Sequence, residues 1–347
     1  MFVLGIRVIL CNFILGKIKI GMGKAKILSV LLSALMLGCG MAAAQRLVRP
    51  SALKPGDTVA IISPASACKA KYVTGACSVL RKWGYVPVVW KHALGKHGSF
   101  AGTIEERKSD LVDVITDPSV KAVLCSRGGY GSVQELCEMD LNLFARHPKW
   151  LIGYSDITAM HGAITSQGVM SIHGPMGEHL TKFAGTDSCS KVLHNILSGK
   201  MPHYKIAADP RNRQGKASGL LLGGNLALLN SFTASPIDML SNYDDCNVIL
   251  FVEDVGESLE RLNRLFYTLR VNGTFDRIKG LVVGSFSDIK YTDDFPHVYD
   301  MVKSIVDAYD FPVAYGFPVG HTDNNYPMVE GAWVTLTVDA NGAELAF

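Results

Sequence analysis

Short apolar runs alternate with amphipathic segments from Thr58 to about Leu180, and no other feature restricts the fold of this chain so strongly. Val59-Ala-Ile-Ile-Ser63, Val86-Pro-Val-Val-Trp90, Val120-Lys-Ala-Val-Leu-Cys125 and Trp150-Leu-Ile-Gly-Tyr154 read as strands that are apolar on both faces. Such strands need cover above and below, which a parallel sheet flanked by helices supplies. The segments between them carry helix punctuation. Tyr72–Trp83 closes at Gly84, and Thr103-Ile-Glu-Glu106 has capping-box spacing ahead of Ile104–Ile115, which Asp117-Pro118 stops. The expected fold class is therefore α/β, with a parallel-sheet N-terminal domain over residues 47–185. Residues 186–215 are polar and punctuated by Gly199-Lys-Met-Pro202 and Asp209–Gly215, which reads as a linker. A mixed second half, residues 216–347, is expected to form a C-terminal domain. It offers strands at Gly219–Gly223, Val248–Val252, Leu281–Phe286 and Trp333–Val338, and a helix at Leu259–Leu269.

Residues 1–44 read as an address. They hold five basic and no acidic residues, the apolar run Ile27–Leu37, and Ala42-Ala-Ala44 as a cleavage site. The expectation is a cleaved secretory signal and a periplasmic or secreted protein, without stable membrane insertion after cleavage. Lipidation at Cys39 is the alternative, and Met22 an alternative start. The formal charge of +3 belongs to this leader, and the remainder is slightly acidic with no basic stripe. A nucleic-acid partner is therefore not expected. Cys68, Cys77, Cys125, Cys137, Cys189 and Cys246 follow the leader without any C-x-x-C, and are expected mostly as buried thiols.

Three distant segments carry chemistry. Trp150–Thr158 contains Ser155, Val248–Glu257 contains Glu253 and Asp254, and Val313–His321 ends in a histidine within a polar loop. Serine is a poor nucleophile near neutral pH unless a base lies within hydrogen-bond reach and a third group orients that base. Ser155, a carboxylate from Glu253 or Asp254, and His321 supply those parts. Gly153-Tyr-Ser155 resembles a nucleophile elbow without its second glycine, and the plainer reading is that Ser155 caps the following helix. Cys125-Ser-Arg-Gly-Gly-Tyr-Gly131 is a turn, a phosphate cradle or a source of oxyanion-binding amides. In the last case the Asp156 amide pairs with one from Gly128 or Gly129. His173 and His179 lack metal-site spacing, so neither a metal nor a cofactor is expected.

Taken in order, six segments resemble the serine LD-carboxypeptidases (muramoyltetrapeptide carboxypeptidases), a family that includes microcin C self-immunity peptidases. They are Lys54–Asp57 with Ile62–Ala65, Ser126–Gly131, Gly153–Thr158, Gly223–Leu226, Glu253–Glu257 with Arg264, and Gly320–Asn325. The resemblance runs from about Leu53 to Leu345. It implies a flavodoxin-like N-terminal domain, a β-rich C-terminal domain and an active site between them. It further implies Ser155 as nucleophile, His321 as general base, Glu253 as its partner, and Asp156 with Gly128 or Gly129 as oxyanion hole. The implied reaction removes the terminal D-alanine from a murein tetrapeptide without metal, and the family is often homodimeric. Arg127, Arg264 and Lys290 are the basic candidates for binding substrate. Two departures stand out: an export leader where the family is typically cytoplasmic, and Asn263 where an acidic residue is expected beside Arg264.

Overall fold

The computed structural model describes residues 47–291 and 297–347; the leader reading falls outside them. Five strands alternate with helices in the first half: β1 (Thr58–Ile62), β2 (Val86–Val89), β3 (Val120–Cys125), β4 (Trp150–Gly153) and β5 (Ser171–His173). They pair in parallel in the order β2-β1-β3-β4-β5. That is the flavodoxin-like order, in which ligands bind beyond the carboxyl ends of the strands. The capping box forms as read, Thr103 and Glu106 each accepting from the other's backbone amide.

The second sheet is built from β6 (His203–Ala207), β7 (Gly215–Asn225), β8 (Val248–Val255), β9 (Gly280–Ser287) and β10 (Val313–Tyr315), followed by β12 (Trp333–Asp339) and β13 (Gly342–Ala346). Its order is β10-β9-β8-β7-β12-β13-β6. β7 to β10 are parallel, with helices Leu259–Val271 and Val298–Val306 in their connections, whereas β12, β13 and β6 add antiparallel strands. One strand of the second half leaves its sheet. β11 (Met328–Glu330) pairs antiparallel with β5 and so completes the first sheet. The sheets also share a core, since Ile61, Trp150 and Ile172 belong to the same buried cluster as Phe251, Phe317 and Leu336.

The linker reading of residues 186–215 is corrected. Asp187 caps a helix, Ser188–Leu197, that buries Cys189, Leu193, Ile196 and Leu197, and β6 follows it onto the second sheet. Apolar residues at helical spacing were masked by the Gly and Pro that punctuate their flanks. The six cysteines among the described residues are free thiols. Among the described residues no helix is long and apolar enough to cross a membrane.

Candidate active site

β4 ends at Gly153, and the chain turns through Ser155–Ile157 into the helix Thr158–Ser166. Ser155 takes φ +66°, a left-handed backbone that a residue with a side chain holds only under constraint. This strained strand-to-helix turn is the geometry of a nucleophile elbow. The helix-cap reading fails, because the Ser155 hydroxyl makes no cap hydrogen bond and lies 2.9 Å from His321 Nε2.

His321 Nδ1 stands 2.7 Å from Glu253 Oε2. A carboxylate can only accept, so Nδ1–H donates and the Nε2 lone pair faces Ser155, which is the tautomer a general base needs. Burial by itself would lower the His321 pKa. The Glu253 hydrogen bond and charge, helped by Asp254 and Asp288, outweigh it and hold the pKa above the ordinary histidine value. Glu253 lies fully buried within β8, where pairing with β9 slips between Val252 and Asp254. Asp254 serves another purpose: it accepts from Asn225 Nδ2 (2.8 Å) and from the amides of Ala227 (2.9 Å) and Val255 (2.8 Å). Burial pushes the Asp254 pKa up to about 6 against those hydrogen bonds. Of the two carboxylates left open by sequence, Glu253 meets the histidine.

The His321 loop runs from β10 to β11 and is pinned at both ends. Gly320 N–H donates to Asn325 Oδ1 (3.0 Å), and the Ser287 hydroxyl donates to the His321 carbonyl (3.2 Å). Gly320 has φ +124°, and a Cβ there would come within 2.9 Å of the Glu253 side chain, so only glycine fits. Sequence reading gave Tyr154 no role, yet its ring packs edge-on against His321 with centroids 4.9 Å apart.

The Ser126–Gly131 loop is clamped to the elbow. Ser132 N–H donates to Asp156 Oδ2 (2.8 Å), and the Ser132 hydroxyl donates to the Asp156 carbonyl (2.7 Å). Arg107, 1% exposed and also missed by sequence, donates to the carbonyls of Pro64 (3.0 Å) and Gly131 (2.9 Å). The amides of Gly128 and Gly129 donate to nothing among the described residues. Two uncommitted amides beside a serine are what an oxyanion requires. A Cβ on Gly128 would sit 2.9 Å from Ser155 Cβ and 3.2 Å from the Tyr154 carbonyl. Gly128→Ala is therefore expected to displace the elbow and lower kcat about 100-fold, the scale of a lost oxyanion donor. Steady-state kinetics with an unchanged melting curve would check it; kcat within threefold of wild type would refute it.

The basic candidates separate. Arg127 adjoins Gly128, half-buried, and its charge acts on Tyr154, whose ring packs against His321. Arg264 is exposed on the helix Leu259–Val271, and its side chain makes no hydrogen bond or ion pair among the described residues. Lys290 is exposed and joins Ser258 by an isolated backbone bridge. His173 and His179 fall into different clusters, the first with His161 and Glu330, the second with Asp187 and Cys189.

An activated serine at the strand ends of an α/β fold defines a hydrolase working by acyl transfer. Residues 59–174 match the family model described as LD-carboxypeptidase N-terminal domain, and residues 218–336 the one described as LD-carboxypeptidase C-terminal domain. The chain is 32% identical to the "Probable murein peptide carboxypeptidase" of Bacillus subtilis, over 82% of this chain and 90% of that protein. It is 27% identical to the microcin C7 self-immunity protein MccF of Escherichia coli, over 80% and 88% respectively. The crystal structure of muramoyltetrapeptide carboxypeptidase from Oxalobacter formigenes superposes with TM-score 0.75 at 27% identity, covering 83% of this chain and 97% of that one. The chain belongs to the LD-carboxypeptidase family.

Proposed function

We propose that this protein is a serine LD-carboxypeptidase that removes the terminal D-alanine from murein tetrapeptide, acting outside the cytoplasm in cell-wall turnover. The observation that carries the reading is the unbroken hydrogen-bonded chain from Ser155 through His321 to Glu253. In the proposed mechanism Ser155 Oγ attacks the scissile carbonyl while His321 Nε2 takes its proton. Glu253, buried and anionic, stabilises the imidazolium that forms. The oxyanion is received by the Asp156 amide together with that of Gly128 or Gly129. His321 then returns the proton to the departing D-alanine amine, and water attacks the acyl-enzyme by the same relay. Arg127 is the proposed contact for the substrate's free carboxylate, since a guanidinium offers a carboxylate two parallel donors. The basic leader with its Ala42–Ala44 cleavage site supports export.

Purified murein tetrapeptide incubated with the protein in EDTA, and followed by mass spectrometry, tests the proposal. Loss of one D-alanine is expected with wild type and not with Ser155→Ala. An unchanged tetrapeptide with folded wild type would refute it. Cleavage of a peptidyl-nucleotide instead would assign the immunity-peptidase activity, and tetrapeptide binding without cleavage a non-catalytic wall-peptide receptor.

A further inference from the structure

Beside the elbow, three ionisable side chains meet in the protein interior. His161 comes from the helix Thr158–Ser166, His173 from β5 and Glu330 from β11. All are 0% exposed, and one nitrogen or oxygen of each lies within 4.8 Å of the others. Strand register explains the convergence. Glu330 stands opposite Ser171 in the antiparallel pair, so their side chains share a face, and His173 is two residues along that face. His161 closes the cluster from the helix, with Nδ1 2.8 Å from Ser171 Oγ and Nε2 2.9 Å from the Gly153 carbonyl.

The proton inventory is unusual. A carbonyl only accepts, so His161 Nε2 carries its proton and donates to Gly153. With that proton on Nε2, Nδ1 presents its lone pair to Ser171 and accepts from the hydroxyl. Neither nitrogen of His173 and neither oxygen of Glu330 has a hydrogen-bond partner among the described residues, and Glu330 forms no ion pair there. The Gly223 amide comes near Glu330 without reaching hydrogen-bond geometry. Buried polar atoms in folded proteins almost always have partners, and a buried carboxylate needs a countercharge or a proton.

We propose that His161, His173 and Glu330 bind a divalent transition-metal ion of the zinc class, as a structural site separate from the triad. One cation satisfies the carboxylate and one nitrogen of His173, and takes the Nδ1 lone pair of His161 in place of the Ser171 hydroxyl. The Gly153 carbonyl then occupies the orienting position that backbone carbonyls take behind metal-bound histidines. Two imidazoles and one carboxylate suit zinc and its neighbours, whereas calcium and magnesium prefer all-oxygen sets. Ligand atoms around tetrahedral zinc stand about 3.3 Å apart, so binding draws these three inward by small side-chain rotations. The ion ties β11, which follows the His321 loop, to β5, the neighbour of β4. The sequence expectation of no metal looked to the spacing of His173 and His179. The third ligand here is Glu330, distant in sequence and joined only by strand pairing.

The test does not use hydrolysis. Full-length protein purified without chelator is assayed for metal by mass spectrometry, then stripped and titrated separately with zinc and cobalt. About one zinc per chain, a visible absorption band on cobalt binding and a higher Tm with zinc are expected. Glu330→Gln and His173→Gln are expected to lose the bound zinc and the cobalt band. Metal-free wild type that gives neither band nor thermal shift would overturn the site, leaving Glu330 protonated. Zinc retained by both variants would place the ion elsewhere and overturn it equally. Should a variant fail to fold, the wild-type titrations decide alone.

Discussion

Ser155→Gly is expected to abolish D-alanine release while making the folded protein more stable than Ser155→Ala. The loss of activity follows from removing the hydroxyl that His321 Nε2 meets. Deleting a triad nucleophile in enzymes of this kind costs on the order of 10⁴- to 10⁶-fold in kcat. The stability difference follows from the backbone. At φ +66° a Cβ is strained by about 1–2 kcal/mol, and glycine relieves that strain. Glycine's greater freedom in the unfolded chain offsets roughly 0.5–1 kcal/mol of the gain. The net advantage over alanine, up to about 1.5 kcal/mol, corresponds to roughly 1–2 °C in Tm for a protein of this size. Alanine keeps the strain and loses the hydroxyl. Melting curves of the two inactive variants provide the comparison. Equal Tm values would mean that the strain at the elbow does not exceed glycine's entropic cost and would overturn the stability claim, and release within tenfold of wild type would remove Ser155 from the chemistry.

The parts of this architecture that sequence exposes are those written locally. β3 falls where its apolar run predicted, and the helix after Thr103 begins at its capping box. Ser155 and His321 were legible because each occupies a short motif whose residue types have few structural uses. The choice between Glu253 and Asp254 was not legible. Neighbours on a strand point to opposite faces, but the sequence does not say which face meets the histidine, and pairing with β9 slips at that point. β5 and β11 were missed because three residues are too few for a periodic signal, and both are defined by partners far along the chain. Arg107 was hidden for a related reason. It sits on an amphipathic helix where an arginine reads as solvated, and only the fold carries it to the Pro64 and Gly131 carbonyls. Arg264 was the reverse case, singled out by its motif and found exposed.

Glu253→Gln is expected to lower kcat/KM by about 10³- to 10⁴-fold and to move its acidic limb to lower pH, two effects with one cause. In the wild type, the Glu253 carboxylate accepts from Nδ1–H and thereby leaves Nε2 free to take the serine proton. A glutamine can turn its amide N–H₂ toward the ring, make Nδ1 the acceptor and leave Nε2–H facing Ser155, the wrong tautomer for a base. The pH effect follows from the balance at His321. Burial favours the neutral ring, and the Glu253 hydrogen bond and charge overcome it, so wild-type activity appears only as pH rises through a value above 6.5. Without the carboxylate, burial prevails and the limb falls below that value. Stability runs the other way. A histidine whose pKa is raised by folding stabilises the protein fully below its unfolded value and loses that contribution as pH climbs through the folded one. Wild-type Tm should therefore decline across the interval in which activity rises, and Glu253→Gln should remove that decline. Asp254→Asn provides the control, since Asp254 serves the Asn225–Ala227 turn and acts on His321 only as a weaker charge. An acidic limb that stays put in Glu253→Gln but moves further in Asp254→Asn would make Asp254 the partner of His321 in solution.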